Sequence, residues 1–286
     1  MTWFARFPSQ VGKIMGQPAE ELAGRFFSFV HRLSRSIVSG IRNPILFIPL
    51  LRNIFVPRLI LSRYLREFRP EHTRKSETDN SGHVGLSRCK VLVINLRHRI
   101  DRRDSFVAQA HAIGLRDFNF FQAIKDDRGS RGCALSHRSV LRTTEIKQGE
   151  MLMICEDDCE FLASRSELDE VIEEFYKNDK LDVLCLGFNT PNSWEQARIS
   201  PNLLVTENTQ TTSCYIVKPH VQELLESVAA SSADALLTQD LPGLYEYDVV
   251  WKTLQGSYFF AVPSKRMVKQ IASHSDIENA FTNYGV

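Results

Sequence analysis

Residues 151–158 read MLMICEDD, five apolar residues followed abruptly by three acids. A short, continuous apolar run bounded by charge fits a strand buried on both faces. Residues 90–96 (KVLVINL) show the pattern upstream, and residues 181–188 (LDVLCLGF) show it downstream. Helical patterns separate these runs. One spans 101–114 and is closed by Gly114, a second spans 133–147, and a third spans 167–177 with Leu168, Val171, Ile172 and Phe175 on one face. Further strands are expected at 118–123, 213–218 and 257–262, with helices at 220–229 and 247–254. This alternation predicts an α/β domain with a Rossmann-like, largely parallel sheet flanked by helices. Such sheets bind ligands beyond the carboxyl ends of their strands. Glu156, Asp157 and Asp158 stand at such an end.

Three adjacent carboxylates repel one another unless a cation joins them. Mn²⁺ or Mg²⁺ suits such oxygen ligands and leaves positions open for phosphate oxygens. A diphosphate leaving group needs that neutralisation as its bond breaks. A solvated loop beginning at the strand end is the plainer alternative.

The 286 residues have ordinary globular composition, 43% hydrophobic and 24% charged, with a net charge of +1. That small total conceals a division. Residues 1–75 hold 13 Lys/Arg and 4 Asp/Glu, a balance of +9, and the remainder balances at −8. Residues 1–70 read as a basic, hydrophobic extension. Phe26, Phe27, Phe29, Val30, Leu33, Ile37 and Ile41 alternate with Arg25, Arg32, Arg35 and Arg42. Such a face suits either an anionic membrane surface or packing on the catalytic domain. The apolar stretch 43–61 is interrupted by Arg52 and Arg58 and broken by Pro44, Pro49 and Pro57, so it is not read as spanning a membrane. No secretory signal is evident, and no binding module accompanies the charge to suggest a nucleic-acid partner. Residues 71–87 are polar and read as a linker to a catalytic domain at 88–286. The six cysteines match no zinc or disulfide spacing. The expected setting is cytoplasmic, with the front end available to the inner membrane face.

Three segments occur in close order: VINLRHRIDRR (93–103), RGCALSHRSVL (131–141) and LMICEDDCEF (152–161). Together they resemble the signature segments of glycosyltransferase family 25, which includes lipopolysaccharide-biosynthesis and procollagen galactosyltransferases. The match covers about 70 residues and fades beyond Phe188. The resemblance implies a glycosyltransferase A-type fold, a UDP-sugar donor carrying galactose or a related hexose, a divalent metal and inversion at the anomeric carbon. It implies that Asp158, Asp157 and Glu156 hold the metal, and that Asn95, Arg102, Arg103, Ser136 and His137 serve the donor. Late in the chain, His274 is a further candidate ligand to the metal, and Asp276 a further candidate for the donor. The acceptor is a glycan, a lipid-linked sugar or a protein hydroxyl.

An inverting transfer also needs a base distinct from the metal-binding acids. Asp248, within YEYDVVWKTLQ (245–255), is that candidate, with Tyr247 and Trp251 offering flat faces to a sugar and Thr212 on the acceptor side. The plainer reading makes Asp248 a helix-start acid and the aromatics core. Two rivals remain at this level. A nucleotidyltransferase also needs acids at a strand end, but ordinarily adds a Gly-rich phosphate loop, and RHRIDRR follows the first strand instead. A membrane-attached scaffold of the same fold would not need its acids.

Overall fold

The computed structural model describes residues 84–147, 149–189, 196–238, 243–255 and 257–271, and the backbone of 273–275 and 280–282. The basic extension at 1–70 lies outside the described residues. Of the expected linker, residues 84–87 are described, and they are already docked. Gly85–Arg88 forms a 3-10 turn in which the Gly85 and Leu86 amides donate to Glu173 and Asp169. Gly85 sits at φ +57, and a Cβ there would lie 2.4 Å from the Asp169 backbone, so only glycine fits.

The apolar runs become the central strands: β1 (Cys89–Asn95), β3 (Met151–Glu156), β5 (Val183–Cys185), β8 (Cys214–Val217) and β9 (Phe260–Pro263). With β2 (Asn119–Gln122), β6 (Gln196–Arg198) and β7 (Leu203–Thr206) they form an eight-stranded sheet in the order β2-β1-β3-β8-β5-β9-β7-β6. Only β8 and β7 run against the rest. The pairs β1·β2, β1·β3 and β5·β9 are parallel, whereas β3·β8, β5·β8, β7·β9 and β6·β7 are antiparallel. The sheet is therefore mixed in its pairing and largely parallel in strand direction. Two small ribbons complete the strands. In one, β4 (Cys159–Phe161) pairs antiparallel with β10 (Val268–Gln270); in the other, β11 (Ser273–Ser275) pairs with β12 (Ala280–Thr282).

Among the described residues the α-helices are α1 (Ile100–Ala112), α2 (Gly129–Thr143), α3 (Arg165–Lys177), α4 (Gln222–Thr238) and the single turn α5 (Tyr247–Val250). α3 begins with a reciprocal cap: Ser164 Oγ accepts the Glu167 amide, and the Glu167 carboxylate accepts the Ser164 amide. Its buried face is the predicted one: Leu168, Val171, Ile172 and Phe175. Under α1, Phe106 packs edge-on against Phe118, Phe120 and Phe161, fastening the helix to the sheet edge and to β4. Among the described residues no helix is long and apolar enough to cross a membrane.

Three elements depart from expectation. α2 starts at Gly129, ahead of the start expected at 133; the Asp126 carboxylate accepts the Arg128 amide and binds the Arg131 side chain just ahead of and within the first turn. α4 continues to Thr238 through an alanine-rich run that propensity favours. The helix expected at 247–254 closes after one turn and tightens into a 3-10 turn at Trp251–Thr253.

Candidate active site

β1 and β3 lie side by side in parallel, so both deliver their carboxyl ends to one edge of the sheet. At that edge the three acids do not act as one cluster. By their hydrogen-bond partners the acids separate into two groups.

The first group contains Asp157 and Asp158, 6% and 5% exposed. The Arg102 guanidinium from the first turn of α1 bridges them, donating through Nη1 to Asp157 Oδ1 at 3.1 Å and to Asp158 Oδ2 at 3.0 Å. Asn95, the last residue of β1, donates its amide to Asp157 Oδ2 at 2.6 Å and to the Arg99 carbonyl at 3.1 Å. Gln270 on β10 donates to Asp158 Oδ2 at 3.1 Å, and the Ile271 amide donates to the Asp158 carbonyl at 2.7 Å. Asp158 Oδ1 is buried without a hydrogen-bond partner among the described residues. Burial pushes the Asp158 carboxyl up to about 7, reinforced by the nearby charges of Glu156 and Asp157 and opposed by Arg102. Asp157 is also raised by burial, against the pull of Arg102 and Asn95.

The second group centres on Glu156. Its Oε1 accepts from the Thr212 hydroxyl at 2.9 Å and lies 3.3 Å from His137 Nε2. His137 is fully buried on α2, and its Nδ1 sits 2.9 Å from the Tyr215 hydroxyl on β8. Burial pushes Glu156 up, but the His137 contact, followed by Thr212 and Arg102, outweighs burial and holds the carboxyl below its usual range. The two acidic neighbours Glu156 and Asp158 are therefore driven in opposite directions, a pattern that catalytic sites use to separate acid and base roles.

Asp248 stands beside this second group. Its carboxylate accepts the Thr211 amide at 3.2 Å. Thr211 holds φ +88, a left-handed backbone that a β-branched residue adopts at a cost of about 1–3 kcal/mol. Burial raises the Asp248 carboxyl, and the charge of Glu156 adds to that rise. Thr211 and Thr212 thus link Asp248 and Glu156 through consecutive residues just ahead of β8.

Several sequence-stated candidates fall elsewhere, each for a physical reason. The Glu156 side chain is directed to His137 and Thr212 rather than to the two aspartates. Arg103 is exposed, and its guanidinium lies over the Phe120 ring at 4.2 Å rather than at the aspartates that Arg102 bridges. Ser136 is spent internally, donating to the Gly132 carbonyl at 2.7 Å and accepting the Ile124 amide at 2.8 Å. Tyr247 and Trp251 are 2% and 0% exposed and offer no face to a sugar. Trp251 packs edge-on against Tyr215 and Phe260, and its Nε1 donates to the Thr209 carbonyl at 3.1 Å. Trp251→Ala is accordingly expected to lower stability by about 3–5 kcal/mol. Denaturant unfolding checks this, with an unchanged midpoint as the contrary result. His274 lies on β11 opposite Phe281, its side chain outside the described residues, as is Asp276 altogether.

Gln270, Tyr215 and Cys133 were not assigned roles from sequence. Gln270 reaches Asp158 through a three-residue antiparallel ribbon, which leaves no periodicity to read. Cys133 had one signal: its four-residue spacing from His137 places both on one helix face.

No family model matches the chain, and no curated protein matches it. Among solved structures, a glycosyltransferase involved in the glycosylation of the major capsid of PBCV-1 aligns with a TM-score of 0.44 and 11% identity, covering 67% of this chain and 96% of that one. A Drosophila beta-1,4-galactosyltransferase 7, in complex with manganese, UDP-Gal and xylobiose, aligns with a TM-score of 0.39 and 11% identity, covering 68% of this chain and 75% of that one. At these scores the likeness is too slight to inform the chemistry of this chain.

Proposed function

We propose that this chain is a metal-assisted glycosyltransferase of the A-type fold, using a UDP-sugar donor of galactose or a related hexose. The observation that carries this reading is convergence. Asn95 and Arg102 from the first signature segment reach Asp157 and Asp158 in the third by direct hydrogen bonds, and His137 from the second reaches Glu156. Segments that resemble one family in sequence also assemble one polar site at a strand end, where an α/β sheet receives its ligand.

The residues present fit a divalent cation at the aspartates. Two buried carboxylates face one guanidinium, and Asp158 Oδ1 is buried without a partner among the described residues. Mn²⁺ or Mg²⁺ prefers such oxygens. Asp158 and Asp157 would hold it, and when bound it would neutralise the leaving diphosphate. Arg102 adds a fixed positive charge at the same edge. Asp248, raised by burial and by Glu156, is the proposed base for the acceptor hydroxyl in an inverting displacement. Thr211 and Thr212 hold Asp248 and Glu156 in place beside it. Acceptors in keeping with this reading are a glycan, a lipid-linked sugar or a protein hydroxyl, with residues 1–70 as a candidate contact with a membrane surface.

A panel of UDP-sugars incubated with and without Mn²⁺ tests the reading. The expected result is metal-dependent release of UDP from one sugar. Release of pyrophosphate from a nucleoside triphosphate and sugar phosphate would instead favour a nucleotidyltransferase, and failure to bind UDP with Mn²⁺ would favour a scaffold.

A further inference from the structure

Beside the aspartates, three different ligand types meet. The Cys133 thiol, a His137 ring nitrogen and a Glu156 carboxylate oxygen all lie within 4.8 Å of one another. Cys133 and His137 occupy positions four apart on α2, so their side chains share a face. Glu156 closes the group from the end of β3. His137 Nε2 and Glu156 Oε1 are 3.3 Å apart. Two ligands bonded to tetrahedral zinc at about 2.0–2.1 Å lie roughly 3.4 Å apart, so this pair is spaced for a shared ion.

An outer shell is also in place. His137 Nδ1 meets the Tyr215 hydroxyl at 2.9 Å, and the Thr212 hydroxyl donates to Glu156 at 2.9 Å. Ligating histidines and carboxylates are held in this way by neighbouring hydrogen-bonding groups. Cys133 is half-buried and the Glu156 side chain is 20% exposed.

We propose that Cys133, His137 and Glu156 form a binding site for a zinc-class divalent cation, separate from the site assigned to Asp157 and Asp158. His137 ligates through Nε2, and its Nδ1–H then donates to Tyr215. Thiolate and imidazole select a borderline-soft ion over Mg²⁺ or Mn²⁺, which favour the all-oxygen aspartate pair. The ion ties α2 to the end of β3 and so fixes the strand end that carries the acids. The inference does not depend on the sugar-transfer reading.

The test uses the full chain, stripped of metal and titrated with Co²⁺. A thiolate-to-cobalt charge-transfer band in the near ultraviolet, with intense visible bands of tetrahedral cobalt, is expected at one equivalent. Cys133→Ser should lose the near-ultraviolet band and bind Co²⁺ about a hundredfold more weakly, whereas Asp158→Asn should keep both. Zinc X-ray absorption on the unmutated chain gives a readout that needs no variant, with one sulfur near 2.3 Å and the remaining scatterers nitrogen or oxygen expected. Absence of sulfur would overturn the proposal. So would two or three sulfurs, or a band surviving in Cys133→Ser, because either result would place the ion at the fully buried thiols of Cys155, Cys159 and Cys214, which also lie within 4.8 Å of one another. UDP release from sugar donors is measured separately, so failure of this site and failure of the transferase reading are distinguishable.

Discussion

Asp158→Asn is expected to make the protein more stable at pH 8 while lowering metal-dependent UDP release by a hundredfold or more, equivalent to about 3 kcal/mol of transition-state stabilisation. The stability half follows from burial. The Asp158 carboxyl stands near 7 in the folded chain, against an ordinary value of 3.8. Between those values the folded chain keeps a proton that the unfolded chain has released. Stability therefore falls as pH rises through that window, and the penalty is complete above about 7. Asparagine is uncharged and removes the penalty. Its advantage over aspartate should widen by roughly 2–3 kcal/mol between pH 5 and pH 8. For a domain of this size that is a rise of several degrees in Tm, which differential scanning calorimetry at the two pH values measures directly. A variant that loses activity and is also less stable at pH 8 than the parent would show that Asp158 serves the fold through Arg102 and Gln270. A more stable, inactive variant would show a charge kept for chemistry at the expense of the fold, which is the expected sign of a functional carboxylate.

The parts of the fold legible in sequence were those written in periodicity. The apolar runs at 90–96 and 151–158 became β1 and β3 because central strands must be apolar on both faces. The face of α3 was legible because amphipathic spacing repeats over three turns. β6, β7, β4 and β10 were not anticipated, since each is three or four residues long and takes its register from a neighbour rather than from its own pattern. At the site, Asn95, Arg102, Asp157 and Asp158, named from sequence as donor and metal candidates, meet through direct hydrogen bonds. The sequence grouped Glu156 with them because adjacency in sequence does not show which partners a side chain finds, and Glu156 finds His137 and Thr212. The aromatics around Asp248 misled for a related reason. A Tyr or Trp beside a polar residue suggests a sugar platform, but only coordinates reveal that Trp251 is enclosed by Tyr215, Tyr247 and Phe260.

Arg102→Ala tests whether a guanidinium and a metal share one job. The side chain is 15% exposed and spans two carboxylates that are themselves almost wholly buried. Removing it leaves two like charges facing each other with no counterion, and a loss of about 3–5 kcal/mol is expected at pH 8. The loss should shrink toward pH 5. Without the arginine, both carboxyls shift further up, and Asp158, already near 7, is protonated in the folded chain at that pH, so less charge remains to be compensated. A loss of equal size at both pH values would mean that the arginine acts through packing of its aliphatic stem. Mn²⁺ provides the second arm. A cation that binds only the folded chain stabilises it in proportion to its occupancy, and in the parent it must share the aspartate oxygens with Arg102. Millimolar Mn²⁺ should therefore raise the Tm of Arg102→Ala more than that of the parent. The restored variant should still fail to release UDP at the parental rate, because the cation recovers the charge balance at the aspartates but not the fixed positive group that α1 presents beside them. Equal Mn²⁺ shifts in the two proteins would place the metal away from Asp157 and Asp158 and remove the basis for assigning them as its ligands.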